Sequence, residues 1–81
     1  MPYIPQKRRS LMSTPETPGE LNFMITELLT MYIRNNSKSY STLNDVIGVL
    51  ECAKLELYRR VASPYEDEKM KLNGDVYHEI L

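Results

Sequence analysis

Apolar and polar positions divide the 81 residues into two long stretches of helical periodicity, a short charged stretch and two irregular ends. Leu21, Met24, Ile25, Leu28, Leu29, Tyr32 and Ile33 recur at three- and four-residue steps and share one broad apolar face. Asn22, Thr26, Glu27 and Thr30 fall on its flanks or back. Thr17-Pro18-Gly19-Glu20 supplies a threonine cap, a proline at the first helical position and a glutamate three residues after the cap. Asn35-Asn36-Ser37 offers nothing apolar to continue with. The spacing predicts a helix over about residues 18–34.

After the polar stretch Ser37–Ser41, Leu43, Val46, Ile47, Leu50, Ala53, Leu57, Tyr58 and Val61 line a second apolar face. Thr42 and Asp45 form a weaker capping pair at its start. Pro64 reads as its terminator, which places the helix at about residues 43–62. Gly48 lies inside it, where a small residue leaves room for a close backbone neighbour. Ser63-Pro64-Tyr65-Glu66 repeats the cap, proline and glutamate order and predicts a short helix over about residues 64–72, stopped by Asn73-Gly74. The loop at residues 35–42 is short enough to turn the two long helices into an antiparallel hairpin.

The ends are less regular. Residues 1–16 hold three of the five prolines, and Pro2 and Pro5 favour extended geometry around them. This segment reads as an extended arm. Its Tyr3, Ile4, Leu11 and Met12 are too apolar for a solvated tail. Residues 73–81 form a carboxyl-terminal tail with another apolar set, Val76, Tyr77, Ile80 and Leu81. The expected architecture is therefore all-α: a hairpin of two long helices plus a short third helix over residues 17–72, flanked by arm and tail. Apolar side chains at both ends exceed what so short a domain covers, so the expected state is a homo-oligomer.

Composition narrows the function mainly by exclusion. Ten Lys+Arg against 11 Asp+Glu give a net charge of −1, without the basic surplus of a general nucleic-acid binder. The single cysteine, Cys52, allows neither an internal disulfide nor a cysteine-rich zinc site, and suits a reducing cytoplasmic setting. No apolar run reaches the ~20 residues of a membrane span, and no signal peptide is recognisable. His78 has no second histidine for a metal site, and Cys52 has no evident base beside it. Gly19, Gly48 and Gly74 are isolated, so no glycine-rich phosphate loop is present. No catalytic residue, metal ligand or cofactor is expected.

The informative exceptions are polar residues on the second apolar face. Stepping from Leu43, Lys54 falls at about 20°, inside the stripe, and Glu51 at about 80°, beside Tyr58. A lysine in that position must pair, snorkel or face a cavity. The plain reading is an ion pair between Glu51 and Lys54, three residues apart. The sharper one is a pocket of Glu51, Lys54 and Tyr58, joined by Arg8 and Arg9 of the arm and by Arg59 and Arg60, for a nucleotide-like anion. A subunit-interface ion pair is a third. Arg59 and Arg60 also read as the basic end of a helix. Glu51 and Glu56 stand about 140° apart on the helix and do not converge as magnesium ligands would. The Glu66–Glu68 run reads as a solvated face.

MPYIPQKRR at residues 1–9, GELNFMITELL at 19–29 and LNDVIGVLECAKLELYRRVASPYEDEKMKLNGDVY at 43–77 resemble a family of small uncharacterised proteins of tailed phages and bacterial genomes. The blocks cover nearly the whole chain and leave out HEIL at 78–81. The resemblance implies a phage-type gene and carries over no catalytic residue. By analogy it implies a non-enzymatic accessory protein that binds a host protein or sequesters a nucleotide-like anion, with antagonism of host defence as one use of either. A magnesium-dependent all-α nucleotide pyrophosphohydrolase and a structural subunit of a phage assembly are the alternatives.

Overall fold

A computed structural model describes residues 3–11, 13–77 and 79–80. Pro2, Met12, His78 and Leu81, which entered the sequence reading, lie outside these. The described residues form helices and connecting turns, with no strand among them. In chain order the helices are α1 (Gln6–Leu11), α2 (Pro18–Asn36), α3 (Tyr40–Leu57), a π-helical turn at Tyr58–Ala62, and α4 (Ser63–Asn73). The chain divides into two compact units, Met1–Val46 and Ile47–Leu81.

In the first unit the amino-terminal segment is not the extended arm its prolines suggest. The Arg8 N–H donates to the Pro5 carbonyl at 3.0 Å and opens α1. A proline at the edge of a helix gives up a donor that would have no helical partner anyway. Gln, Lys, Arg and Leu then continue the turn at little cost.

α2 begins as its capping residues dictate. Thr17 is extended at φ −132° and ψ 160°, and its hydroxyl accepts the Glu20 N–H at 3.1 Å. Thr26 and Thr30 each donate to the carbonyl four residues back at 2.8 Å. The helix closes on Ser37, whose φ of 76° is the only positive value at a non-glycine among the described residues. Such a conformation costs of order 1–3 kcal/mol and persists where neighbours hold it. Here the Thr42 hydroxyl donates to the Asn36 carbonyl at 3.3 Å just across the turn.

The cap of α3 lies three residues earlier than Thr42, the cap that the sequence suggests. Ser39 is its cap: its Oγ accepts the Thr42 N–H at 3.2 Å, and its carbonyl accepts the Leu43 N–H at 3.0 Å. Thr42 is buried in this network instead of leading the helix.

The second unit corrects the sequence reading at Pro64. Leu57, Ala62 and Ser63 all keep helical dihedrals, so the backbone stays helical from Tyr40 to Asn73. Ser63 is consequently no cap; its own N–H reaches the Tyr58 carbonyl five residues back. A proline inside a helix lacks a donor and crowds the carbonyl four residues before it. Widening the preceding turn to π geometry relieves both problems without ending the helix. α4 stops at Gly74, where φ is 90° and the N–H returns to the Met70 carbonyl at 2.8 Å. That left-handed conformation is one glycine adopts without strain.

Apolar burial is sparse. Val46, at 7% exposure, is the one buried apolar side chain among the described residues. Leu21, Ile25, Leu28 and Tyr32 on α2 are exposed, as are Leu43, Ile47, Leu50 and Leu57 on α3. The faces that periodicity assigns to a core therefore meet water. No Cβ built at Gly48 would touch another atom within 4 Å, so no part of the described chain uses that small residue for a close approach. No helix is long and apolar enough to cross a membrane among the described residues.

Candidate functional site

The residues expected to form an anion pocket are distributed over the two units, and each is engaged within its own unit. In the first unit, α1 presents Arg8 to the amino end of α2. Its Nε and Nη2 donate to the two carboxylate oxygens of Glu20 at 2.9 and 3.1 Å, a bidentate pair. Glu20 is buried at 8% exposure and also accepts the Glu16 N–H at 2.9 Å. The expected capping glutamate is thus in place, but it reaches Glu16 where a standard capping box reaches the cap residue itself. Arg8, and after it the Glu16 N–H, hold the Glu20 carboxyl below its usual pKa; Glu20 in turn raises that of Arg8. Arg9 donates through Nε to the Ile4 carbonyl at 2.9 Å and lies 5.1 Å from the centre of the Phe23 ring. Both arginines are structural ties between α1 and its surroundings.

In the second unit, Lys54 pairs with Glu51 at 3.3 Å, both side chains exposed. That is the plain reading of their three-residue spacing. Glu56 takes Arg59 at 2.9 Å and Arg60 at 3.7 Å. The five cations of the expected pocket therefore all have partners, four of them carboxylates. Glu51 and Glu56, the acids closest to a magnesium-binding arrangement in the sequence, face lysine and arginine. Among the described residues no three His, Cys, Asp or Glu side chains are grouped as metal ligands.

Tyr58 belongs to a different setting from the one sequence assigned it. It stands in the π-helical turn, and the Glu66 carboxylate on α4 is the main influence that pushes its phenol pKa up. Around it lies an open cleft of about 440 Å³ whose lining includes Tyr58, Tyr65, Glu66, Asp67, Lys69, Met70 and Tyr77. Apart from Tyr58, sequence reasoning missed this grouping. Its signal was present: Tyr58 and Tyr65 stand seven residues apart, two turns along what is in fact one continuous helix. Reading Pro64 as a break put them on separate elements.

The fold and these clusters define an all-α protein in which Arg8, Lys54, Arg59 and Arg60 are each paired with a glutamate. The chain belongs to the family described as Domain of unknown function (DUF6899), whose model matches residues 1–76. No curated protein and no solved structure matches it.

Proposed function

We propose that the chain is a non-enzymatic accessory binding protein of phage type that works as a homo-oligomer, with a second copy covering the exposed faces of α2 and α3. The observation that carries this is the exposure of large apolar side chains at helical spacing within each unit, Leu21, Ile25, Leu28 and Tyr32 in the first and Ile47, Leu50 and Leu57 in the second.

The pattern of the exposed residues supports the same occupant. Leu43, Ile47, Leu50, Lys54 and Leu57 on α3 follow alternating four- and three-residue steps, the spacing of a coiled-coil seam. Leu21, Ile25, Leu28 and Tyr32 do so on α2. A lone lysine in such a seam lowers stability and selects register and partner number. Lys54 suits that role, with Glu51 keeping its charge compensated at the rim. Neutralised cations weigh against sequestration of a nucleotide-like anion, and the resemblance to phage and bacterial families supports an accessory protein over an enzyme.

Sedimentation velocity on the full chain tests the reading. A concentration-dependent oligomer is expected, with Ile47→Asp weakening it at least about 30-fold, the scale of a central interface residue. Lys54→Leu should tighten it or change its stoichiometry. A monomer at all concentrations would sink the proposal. Thermal stabilisation by nucleotides that disappears in Lys54→Ala and Arg59→Ala would instead support anion sequestration. Magnesium-dependent pyrophosphate release from nucleoside triphosphates would support the enzyme.

A further inference from the structure

From the cleft between the π-helical turn, α4 and the segment after Gly74, we infer that this family member binds an arginine side chain from a basic segment of a protein partner. The inference deepens the reading of the chain as a protein-binding subunit by naming the partner-facing site and its chemistry. Its lining combines three tyrosines, Tyr58, Tyr65 and Tyr77, with Met70 and Val76. Glu66 and Asp67 supply two carboxylates beside the ammonium of Lys69. At about 440 Å³ it falls in the size range of small-ligand sites.

Each component favours the same guest. Tyrosine faces attract cations through the ring quadrupole, and a guanidinium stacks on them better than an ammonium does. Carboxylates receive a guanidinium through two parallel hydrogen bonds. Met70 and Val76 offer apolar surface to the methylene stem. The structure already displays one such contact in weaker form, since the Lys69 ammonium lies 5.4 Å from the centre of the Tyr65 ring. Among the described residues neither Glu66 nor Asp67 forms an ion pair with a lysine or arginine of the chain, unlike Glu20, Glu51 and Glu56. Among the described residues of the lining, then, Glu66 and Asp67 outnumber the one cation, Lys69. It has the opposite sign to the anion pocket expected from sequence. An acidic or nucleotide ligand would be repelled there.

A titration of the full-length chain with a blocked Gly-Arg-Gly-Arg-Gly peptide, followed by NMR on the tyrosine ring protons, tests this. Saturable shifts of the Tyr58, Tyr65 and Tyr77 rings are expected. Replacing each arginine of the peptide by citrulline, which keeps shape and removes charge, should weaken binding about tenfold or more. Asp67→Asn and Glu66→Gln should each weaken it to a similar extent. Glu68→Gln, on α4 but outside the cleft, should leave it unchanged. Lys69→Met removes the competing cation and should tighten binding about threefold. That gain cannot come from a folding defect. Equal affinity for arginine and citrulline peptides, or equal weakening by Glu68→Gln, would overturn the inference in favour of non-specific attraction. So would ring shifts that are absent altogether. Sedimentation of the same samples keeps the two readings apart: an oligomer that ignores the peptide refutes the cleft alone, and a monomer that binds it refutes the oligomer alone. Loss of self-association in Asp67→Asn would replace the foreign partner with a second copy's basic side chain and overturn the inference as stated.

Discussion

Both units contain glutamates that hold arginines, and the two arrangements differ in what they accomplish. Glu20 is buried and takes Arg8 from twelve residues away, so the pair fastens one helix to the start of another. Glu56 is exposed and takes Arg59 and Arg60 from three and four residues away on its own helix. Local exposed pairs stabilise a helix only slightly and do not select a tertiary arrangement. A nonlocal pair around a buried carboxylate does select one, because removing either partner strands a charge away from water. Identical chemistry therefore fixes tertiary structure in the first unit and merely decorates a helix in the second. The unit with the weaker internal ties is also the one that offers the acidic, aromatic cleft.

The sharpest way to break this contrast is Glu20→Gln. It removes the charge that organises Arg8 while keeping the shape, and it should lower the melting temperature more than Thr17→Ala or Glu56→Gln does. Amide exchange should accelerate at the amino end of α2 and in α1, and not in α4. The pH dependence follows in sign. The folded Glu20 has a pKa lowered from 4.5, so between that value and the lower folded one the unfolded state binds more protons. The stability contributed by Glu20 is present above about pH 4.5 and is lost as pH falls through the folded value. Acid titration followed by exchange should open the α1–α2 junction first, and Glu20→Gln should abolish that step.

Thr17→Ala is the next effect in size. It deletes the acceptor for the Glu20 N–H and should cost about 1 kcal/mol, or about 4–8 °C in a domain of this length. If Glu20 alone held this end of α2, the loss would fall well short of that figure.

Sequence made the helices themselves legible, because Leu21 to Ile33 and Leu43 to Val61 carry an unmistakable period and Thr17 carries a cap that acts locally. It was equally sufficient for the Glu51–Lys54 pair, whose partners are set by helix geometry alone. It failed where a local signal met a tertiary solution. Prolines at 2 and 5 argue for extended backbone, yet Pro5 closes a turn that starts α1. Pro64 argues for a stop, yet a π turn absorbs it. Once α1 is misread, nothing in the spacing brings Arg8 to Glu20 or Arg9 to Phe23, since both contacts depend on where the short helix lies. Once Pro64 is misread, Tyr58 and Tyr65 belong to different elements and the cleft disappears from view. The hairpin pattern has the reverse difficulty. Its apolar periodicity is plain, but period alone does not distinguish a face buried by the same chain from one buried by another.

Gly48→Ala separates those two cases. With no atom within 4 Å of a built Cβ, the isolated chain gains only helix propensity, about 0.5–1 kcal/mol of stabilisation. A gain of that size that is the same at low and high protein concentration means no subunit approaches the glycine. A gain at low concentration that becomes a loss at high concentration means a second copy does approach it, and locates the seam on that side of α3.

The smallest effect should come from Glu56→Gln, the counterpart of Glu20→Gln in the second unit. Arg59 and Arg60 then lose a shared carboxylate, but all three side chains already stand in water. A cost of a few tenths of a kcal/mol is expected. It should vanish in about 1 M salt, where screening acts over about 3 Å. The buried Glu20 pair should keep most of its effect under the same conditions. A salt-resistant loss at Glu56 as large as that at Glu20 would mean that its arginines are buried in the functional assembly, and the contrast between the two units would then hold only for the isolated chain.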